Sequence, residues 1–299
     1  MTRLKSLFTG HFWVSCFSIK KLISSVLIVY GGLWTFLELT SFFLPKNYNE
    51  CIKEKWYYFA LLGIIVSLIR SIPRLSAKYK FDNTDVEIEY SVKDIFKLSG
   101  NHVIPFNAQA EVKTEDIGGP ISKKSIQGQL LKKFYNEVAH LESDITTQVT
   151  SRGLAKPLGI GEVLKIQTNG NTFYFTVLTS LNGSGNVVRT NFDDVQVFLN
   201  KLWQFISEHG QYGEIVIPII GSGLGRVNKT RNELAREIVK SFTASISEKK
   251  FCEKLTICIS PNDFLKHKVD LNEIDEFIKY HCKFTEFADN SEPRVGTSI

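Results

Sequence analysis

The chain opens with two long apolar runs. The first extends from Leu22 to Pro45, follows two lysines, and contains one charged residue, Glu38. As a helix rising about 1.5 Å per residue, it would reach roughly 36 Å, more than the bilayer's hydrocarbon core of about 30 Å. The run is too long for the apolar part of a signal peptide, and no small-residue cleavage site follows it. It is therefore predicted to be a transmembrane helix.

The second apolar run, Trp56 to Ile69, reaches only roughly 21 Å as a helix, which is short for a span. It would cross the bilayer if it continued to Leu75 and Arg70 extended towards the headgroups. A re-entrant or interfacial helix is the alternative. We expect a transmembrane hairpin over residues 22–75. Its two segments are residues 22–45 and 56–72.

Charge is divided unevenly along the chain. Residues 1–80 carry 11 Lys and Arg against 3 Asp and Glu, and the remainder carries 25 against 28. Since positive residues accumulate on the cytoplasmic side, we expect a multi-pass protein of the cell inner membrane with its C-terminal domain in the cytoplasm. Residues 1–21 are expected to form an amphipathic interfacial helix, with a disordered N-terminus as the alternative. The slightly acidic remainder argues against a nucleic-acid-binding domain.

Beyond Lys80 the pattern changes to short strands alternating with helices. The alternation from Val86 to Tyr90 predicts a half-buried strand, and Asn169-Gly170-Asn171 predicts a hairpin turn. Hairpins mixed with helical crossovers predict an α/β fold in which helices cover both faces of a mixed sheet. The other strands are expected at 102–107, 161–167, 172–179, 215–220 and 254–260. The helices are expected at 122–141, from a cap at Asp193 to Glu208, after a capping box of Thr230 and Glu233, and at 272–281.

The centre of this pattern is the buried strand Ile215–Ile220 and the segment after it, Gly221-Ser222-Gly223-Leu224-Gly225. Glycines let the backbone turn its N–H groups towards one point, which suits a diphosphate, and the next helix adds its positive end. An ordinary strand-to-helix turn is the alternative. The five cysteines have no metal-ligand spacing with histidine, so we expect no metal site. Cys252 and Cys258 flank or lie in an apolar strand-like run and are expected to be buried, reduced thiols.

Four short motifs, in this order, resemble those of a macro domain, the module that binds ADP-ribose. They are Asp94-Ile95-Phe96, Val103 to Asn107, Gly118-Gly119-Pro120-Ile121, and Ile219-Ile220-Gly221-Ser222-Gly223-Leu224-Gly225. The resemblance implies a three-layer α/β/α domain over residues 81–285. Residues 286–299 are expected to be a disordered tail. It also implies that Asp94 accepts from the adenine amino group and that Asn107 faces the ribose. The two glycine-rich loops would bind the diphosphate.

This sequence departs from the family at three points. Hydrolytic members carry Asn-Ala-Ala-Asn where this chain has Phe106-Asn107-Ala108-Gln109, the gap from Asn107 to Gly118 is longer, and Arg226 stands where an aromatic often packs on the distal ribose. Hydrolysis of ADP-ribose linkages is therefore in doubt. Asp94 could instead cap a turn and Asn107 could be a turn residue. Arg226 and Lys229 could neutralise the diphosphate or belong to a solvated basic loop.

A membrane hairpin followed by a divergent macro domain resembles the membrane effector of type II Thoeris antiphage systems. The resemblance implies a sensor, not an enzyme, without cofactor. It would bind an ADP-ribose derivative, histidine-conjugated, that a partner TIR-domain enzyme makes, and would then disrupt the membrane. Glu38 within the bilayer suggests neighbouring subunits, hence a homo-oligomer, and a protonated Glu38 is the alternative. A membrane-anchored ADP-ribosyl hydrolase and an adaptor with a decayed pocket are the competing functions.

Overall fold

The computed structural model describes residues 19–43, 54, 56–71, 74–82, 84–221, 227–267 and 269–288. The chain divides into two compact units. Unit 1 comprises Met1–Leu75 and Lys268–Asn272, and unit 2 comprises Ser76–His267 and Glu273–Ile299. Most of the predicted N-terminal interfacial segment and most of the predicted disordered tail lie outside the described residues.

The first unit contains two apolar helices, α1 (Ile19–Ser41) and α2 (Trp56–Ser71). The two helices pack against each other where Tyr30 of α1 meets Ala60 and Gly63 of α2. The Tyr30 hydroxyl donates to the Ala60 carbonyl at 2.6 Å, and a Cβ on Gly63 would lie 2.7 Å from the Tyr30 ring. Only a glycine allows this close approach, as in the helix interfaces of membrane proteins.

The structure supports one candidate membrane span among the described residues. Leu22–Thr40 in α1 is long and apolar enough to cross a bilayer, and most of its surface is not covered by protein. The apolar part of α2, Trp56–Ile69, remains shorter than a span. The helix α2 is described to Ser71, and residues 72 and 73, where the second segment is predicted to end, lie outside the described part.

The second unit contains one seven-stranded sheet in the order β1-β2-β7-β6-β3-β5-β4. The five central strands are parallel, and β1 and β4 run antiparallel at the two edges. The strands are β1 (Ser76–Lys80), β2 (Glu87–Val92), β3 (Asn101–Asn107), β4 (Val163–Thr168), β5 (Asn171–Thr179), β6 (Glu214–Pro218) and β7 (Lys254–Ile259). Parallel strands buried on both faces explain the continuous apolar runs in the sequence.

Helices cover both faces of this sheet, which confirms the expected three-layer α/β/α fold. One face carries α3 (Ile126–Phe134) and α4 (Val138–Ser151), packed on Phe106 and Phe175. The other carries α5 (Phe192–His209) and α6 (Arg231–Glu248), joined by the Trp203–Phe242 ring contact. Two further helices follow β7, α7 (Pro261–Lys266) and α8 (Leu271–Phe284).

The local predictions differ from the structure at three places. The helix expected at 122–141 is two helices, because Tyr135 adopts an extended backbone and its hydroxyl donates to Asp144. The cap of α5 is Asn191 rather than Asp193. The sheet begins at Ser76, five residues before the expected boundary at 81, because β1 pairs with β2. The Asn169-Gly170 hairpin and the Thr230–Glu233 capping box are confirmed.

Candidate functional site

The carboxyl ends of the five parallel strands lie at one edge of the sheet, which we call the carboxyl edge. The order along it is β2, β7, β6, β3 and β5. With about 4.8 Å between neighbouring strands, the edge extends over roughly 19 Å. Ligands of α/β sheets bind where the loops leave this edge. The site residues expected from the sequence fall on the segments that follow β2, β3 and β6.

Asp94 begins the turn after β2. Its carboxylate accepts a hydrogen bond from the Phe96 N–H at 3.0 Å and caps the 3₁₀ turn Ile95–Lys97. The Ile95 side chain is buried against Val216 and Cys258. One Asp94 oxygen therefore has the capping role that the sequence left open, and Ile95 can offer a ligand only its backbone.

His102, on β3, supports the same turn. Its Nε2 lies 3.2 Å from the carbonyl oxygens of both Ile95 and Leu98, so it carries the proton that both carbonyls accept. Burial lowers the pKa of His102, and the nearby charge of Lys133 lowers it further. The imidazole is therefore neutral at neutral pH, and protonating it would place a charge in the core.

Acidification is expected to destabilise the domain through His102. The unfolded chain protonates this side chain below about pH 6.5, whereas the folded chain does so only at lower pH. Stability is retained above that value and falls below it, by up to about 1.4 kcal/mol per pH unit. His102→Gln keeps an N–H donor but does not titrate. Urea unfolding between about pH 8 and about pH 5 should show a smaller loss for the variant. An equal loss of unfolding free energy in the wild type and the variant would contradict this role of His102.

Asn107 ends β3 and is only 3% exposed. Its side-chain amide donates to the Glu111 carbonyl at 2.8 Å, and its Oδ1 accepts from the Glu111 N–H at 2.9 Å. Gln127 of α3 donates to the same carbonyl at 2.7 Å. The Asn107 side chain therefore closes the loop after β3, which is the turn role that the sequence allowed as an alternative.

The two glycines of the first glycine-rich loop have different environments. Gly118 has φ 77°, ends the 3₁₀ turn Glu115–Ile117, and leaves open space where a Cβ would stand. A Cβ on Gly119 would lie 2.1 Å from the Lys113 carbonyl oxygen. Gly119 is therefore needed for the loop to fold on itself, and Gly118 leaves its backbone open to an approaching ligand.

The second glycine-rich segment begins at Gly221, which has φ 74°. A Cβ there would lie 2.6 Å from the Val227 side chain and 3.6 Å from that of Val195 in α5. At the far end of the segment, the Lys229 ammonium lies 5.2 Å from the centre of the Phe192 ring, also in α5. Both flanks therefore lie beside the first turn of α5. Ile220 is fully buried, and Ser222, Gly223, Leu224, Gly225 and Arg226 lie outside the described residues.

A third loop at the carboxyl edge, residues 181–189, was missed by the sequence analysis; we call it the β5 loop. The Gln109 side chain donates to the Leu181 carbonyl at 3.0 Å and accepts from its N–H at 2.7 Å. A Cβ on Gly185 would lie 3.3 Å from the Pro120 Cβ, so this loop lies against the first glycine-rich loop. Its signal was a Gly-Ser-Gly within a few residues of a strand end, as at Gly221.

A half-buried ion pair lies near the Asp94 end of the carboxyl edge. Arg231 Nε donates to Asp263 at 2.7 Å, and the Ser260 hydroxyl donates to the same carboxylate at 2.8 Å. Burial raises the pKa of the Cys258 thiol to about 12, and the charges of Asp94 and Asp263 add to this effect. Both carboxylates therefore lie near Cys258. The ion pair fixes the start of α6 to α7, a contact that no sequence motif signalled.

The described residues contain no group of three His, Cys, Asp or Glu side chains that could hold a metal ion. A cavity of about 660 Å³ lies elsewhere, along strand β4, where Arg152, Lys165 and Phe205 line it. The cavity lies at the outer edge of the sheet, away from the segments that follow β2, β3 and β6.

Comparisons with known proteins point to one family. A family model described as the macro domain of the Thoeris protein ThsA matches residues 86–260. A search of curated proteins found no match. Among solved structures, an Oceanobacillus iheyensis macrodomain with ADPR is 16% identical, with a TM-score of 0.46 over 69% of this chain and 97% of that one. A Trypanosoma brucei macrodomain in complex with ADP-ribose is 8% identical, with a TM-score of 0.41 over 64% and 68%.

The family match begins one residue before β2 and ends one residue after β7. It therefore includes Asp94, Asn107, both glycine-rich segments and the β5 loop. Because the matched region is more than half of the sequence, this chain belongs to the family of the Thoeris ThsA macro domain.

Proposed function

We propose that the protein is an antiphage defence effector that senses an ADP-ribose-derived signal and then disrupts the cell membrane. The signal would be histidine-conjugated ADP-ribose made by a partner TIR-domain enzyme, as the resemblance to type II Thoeris effectors implies. The contact between the first glycine-rich loop and the β5 loop, together with the position of both flanks of the second glycine-rich segment beside the first turn of α5, carries this proposal. In a macro domain of this family, those loops are where an anionic nucleotide would lie.

The ligand would extend along the carboxyl edge. Its adenine would lie at the Asp94 turn, where the second carboxylate oxygen can accept from the amino group. Its diphosphate would lie between Gly118-Gly119 and the segment Gly221–Gly225, since glycine-rich loops ahead of a helix suit negative charge. Asn107 is three strands from β2, or roughly 14 Å, and its loop would meet the distal ribose.

Several basic side chains would balance the charge of the diphosphate. Lys229 lies beside α5 and also pairs with Glu233 at 3.0 Å. Arg226 belongs to the proposed site by its place in the sequence. Ile95 and Ile220 would take part through their backbone, since both side chains are buried.

The proposal assigns binding, not turnover, to this site. The Asn-Ala-Ala-Asn of hydrolytic members is absent, and Gln109 at its end is engaged with Leu181 in both directions. Asn107 is similarly committed to Glu111. Both amides therefore already hold the loops after β3 and β5 in place, a structural role that favours binding over turnover.

The apolar N-terminal unit would act in the membrane. We propose that α1 spans the cell inner membrane, that α2 spans it or lies within it beside α1, and that the macro domain is cytoplasmic. Several chains would assemble into a homo-oligomer. The proposed domain plan is 1–21, 22–75, 81–285 and 286–299, with the sheet extended back to Ser76 by β1.

Wild-type protein is expected to bind ADP-ribose without hydrolysing ADP-ribosyl substrates. Asn107→Ala should weaken that binding, because the loop after β3 loses two hydrogen bonds worth about 1 kcal/mol each. Calorimetry would measure binding, and mass spectrometry would measure ADP-ribose released from a modified protein. Asn101→Ala is the matched control, since it changes the same residue type at the opposite end of β3. Turnover by the wild type that Asn107→Ala abolishes would favour the hydrolase instead.

A further inference from the structure

The β5 loop lies against the first glycine-rich loop and leads into α5, the helix that borders both flanks of the second glycine-rich segment. On one side Gly185 lies against Pro120 of the first glycine-rich loop. On the other side the loop runs directly into α5, whose Phe192 lies under Lys229 and whose Val195 lies beside Gly221. The loop therefore closes the end of the carboxyl edge that lies beyond β3, opposite the Asp94 turn.

The base of this loop is fixed on both sides of Arg189, so the backbone at Arg189 has a defined position. The Val188 N–H donates to the Ser180 carbonyl at 2.8 Å, and the buried Thr190 hydroxyl contacts the Leu178 carbonyl at 3.5 Å. Arg189 stands between these two attachments at the end of β5. The neighbouring strand ends at Asn107, where the Ala108 N–H donates to the Thr179 carbonyl at 2.8 Å. Arg189 is thus one strand away from the proposed distal-ribose position.

The side chains around this point are suited to contact with a ligand. Val188 and Ile117 are 45% and 49% exposed, although most large apolar residues of the domain are buried. They lie on the two loops that meet at Gly185 and Pro120. Arg189 is exposed, and within the described part of the chain it makes no hydrogen bond or ion pair. The site therefore combines an uncommitted cation with apolar surface.

We propose that the β5 loop is the subsite for the group attached to the distal ribose and that Arg189 recognises a carboxylate on that group. This inference rests on the proposed function, which places the adenine at Asp94 and so directs the distal end towards β3 and β5. Guanidinium groups bind carboxylates through two parallel hydrogen bonds, which gives both affinity and orientation. Val188 and Ile117 provide the apolar contact that an aromatic residue provides elsewhere in the macro-domain family.

Three nucleotides test the subsite in the full-length chain. They are ADP, which lacks the distal ribose, ADP-ribose, and ADP-ribose conjugated to histidine, which adds a carboxylate. Arg189→Ala should lower the affinity for the conjugate by about tenfold or more. It should change the affinities for ADP and ADP-ribose by less than about twofold. Arg189→Lys should recover part of the affinity, because it restores the charge without the planar fork. Lys283→Ala, an exposed cation of α8, should change none of the three affinities.

A second variant tests the attachment of the loop. Gln109→Leu removes both hydrogen bonds to Leu181. It should lower the affinity for the conjugate more than the affinity for ADP. Equal losses for all three nucleotides, or unchanged binding of the conjugate by Arg189→Ala, would overturn the subsite and leave the proposed function intact. A wild-type chain that binds none of the three would overturn both.

Discussion

Gly223→Glu is expected to abolish binding of ADP-ribose without unfolding the protein. The new carboxylate would stand beside the diphosphate in the proposed complex. Two unit charges about 4 Å apart repel each other by about 4 kcal/mol at an effective dielectric constant near 20. That energy corresponds to a loss of affinity of about 1,000-fold, before any obstruction by the added Cβ. Calorimetric titration of the full-length chain would measure it.

Gly170→Glu is the matched control for this variant. Gly170 has φ 73°, leaves open space for a Cβ, and lies in the β4–β5 turn at the opposite edge of the sheet. The substitution adds the same carboxylate and a backbone strain of about 1 kcal/mol, yet it should retain binding. If Gly223→Glu still bound ADP-ribose at micromolar concentration, the diphosphate position would be wrong.

The elements that the sequence predicted correctly are those set by neighbouring residues. The Thr230–Glu233 capping box needs only a spacing of three residues, and the structure shows both of its hydrogen bonds. The Asn169-Gly170 turn needs two residues with positive φ, and they have φ 49° and 73°. Apolar runs likewise predicted the buried parallel strands, because burial on both faces removes any polar position.

The errors arise where distant contacts decide the local conformation. Tyr135 fits a helical pattern, but its ring packs in the core and its hydroxyl donates to Asp144, so the helix stops. Ser76–Lys80 alternates weakly and looks like a linker until β2 pairs with it. At the cap of α5, Asn191 and Asp194 act together, and the sequence alone did not separate them from Asp193.

The same distinction applies to the candidate site. Glycine spacing and strand endings predicted which segments reach the carboxyl edge, because that depends on connectivity. The roles of individual amides were not predictable, since Gln109 meets Leu181 across 72 positions of the chain. The β5 loop was missed for the same reason, because only its contact with Pro120 relates it to the site.

Addition of the ADP-ribose derivative is expected to make liposomes that contain the full-length protein leak a trapped dye. A ligand shifts a conformational equilibrium only as far as it binds one state more tightly than the other. Conversion from 1% to 99% open takes about 5.5 kcal/mol of differential binding. Several coupled sites would supply this energy more easily than one, which favours a homo-oligomer. Its subunits would meet partly through the membrane helices.

The part of Glu38 in ligand-dependent leakage can be tested with one substitution. Glu38 lies within the candidate span Leu22–Thr40, where a carboxylate facing lipid would cost about 2.5–3.5 kcal/mol. If it faces other subunits inside the oligomer, Glu38→Leu should change the rate of leakage and leave nucleotide affinity unaltered. Gly223→Glu should abolish nucleotide binding and, as a consequence, ligand-dependent leakage. Dye release and calorimetry on the same preparations separate the two effects. Equal leakage with and without saturating ligand would rule out gating, because the membrane unit would then act independently of the macro domain.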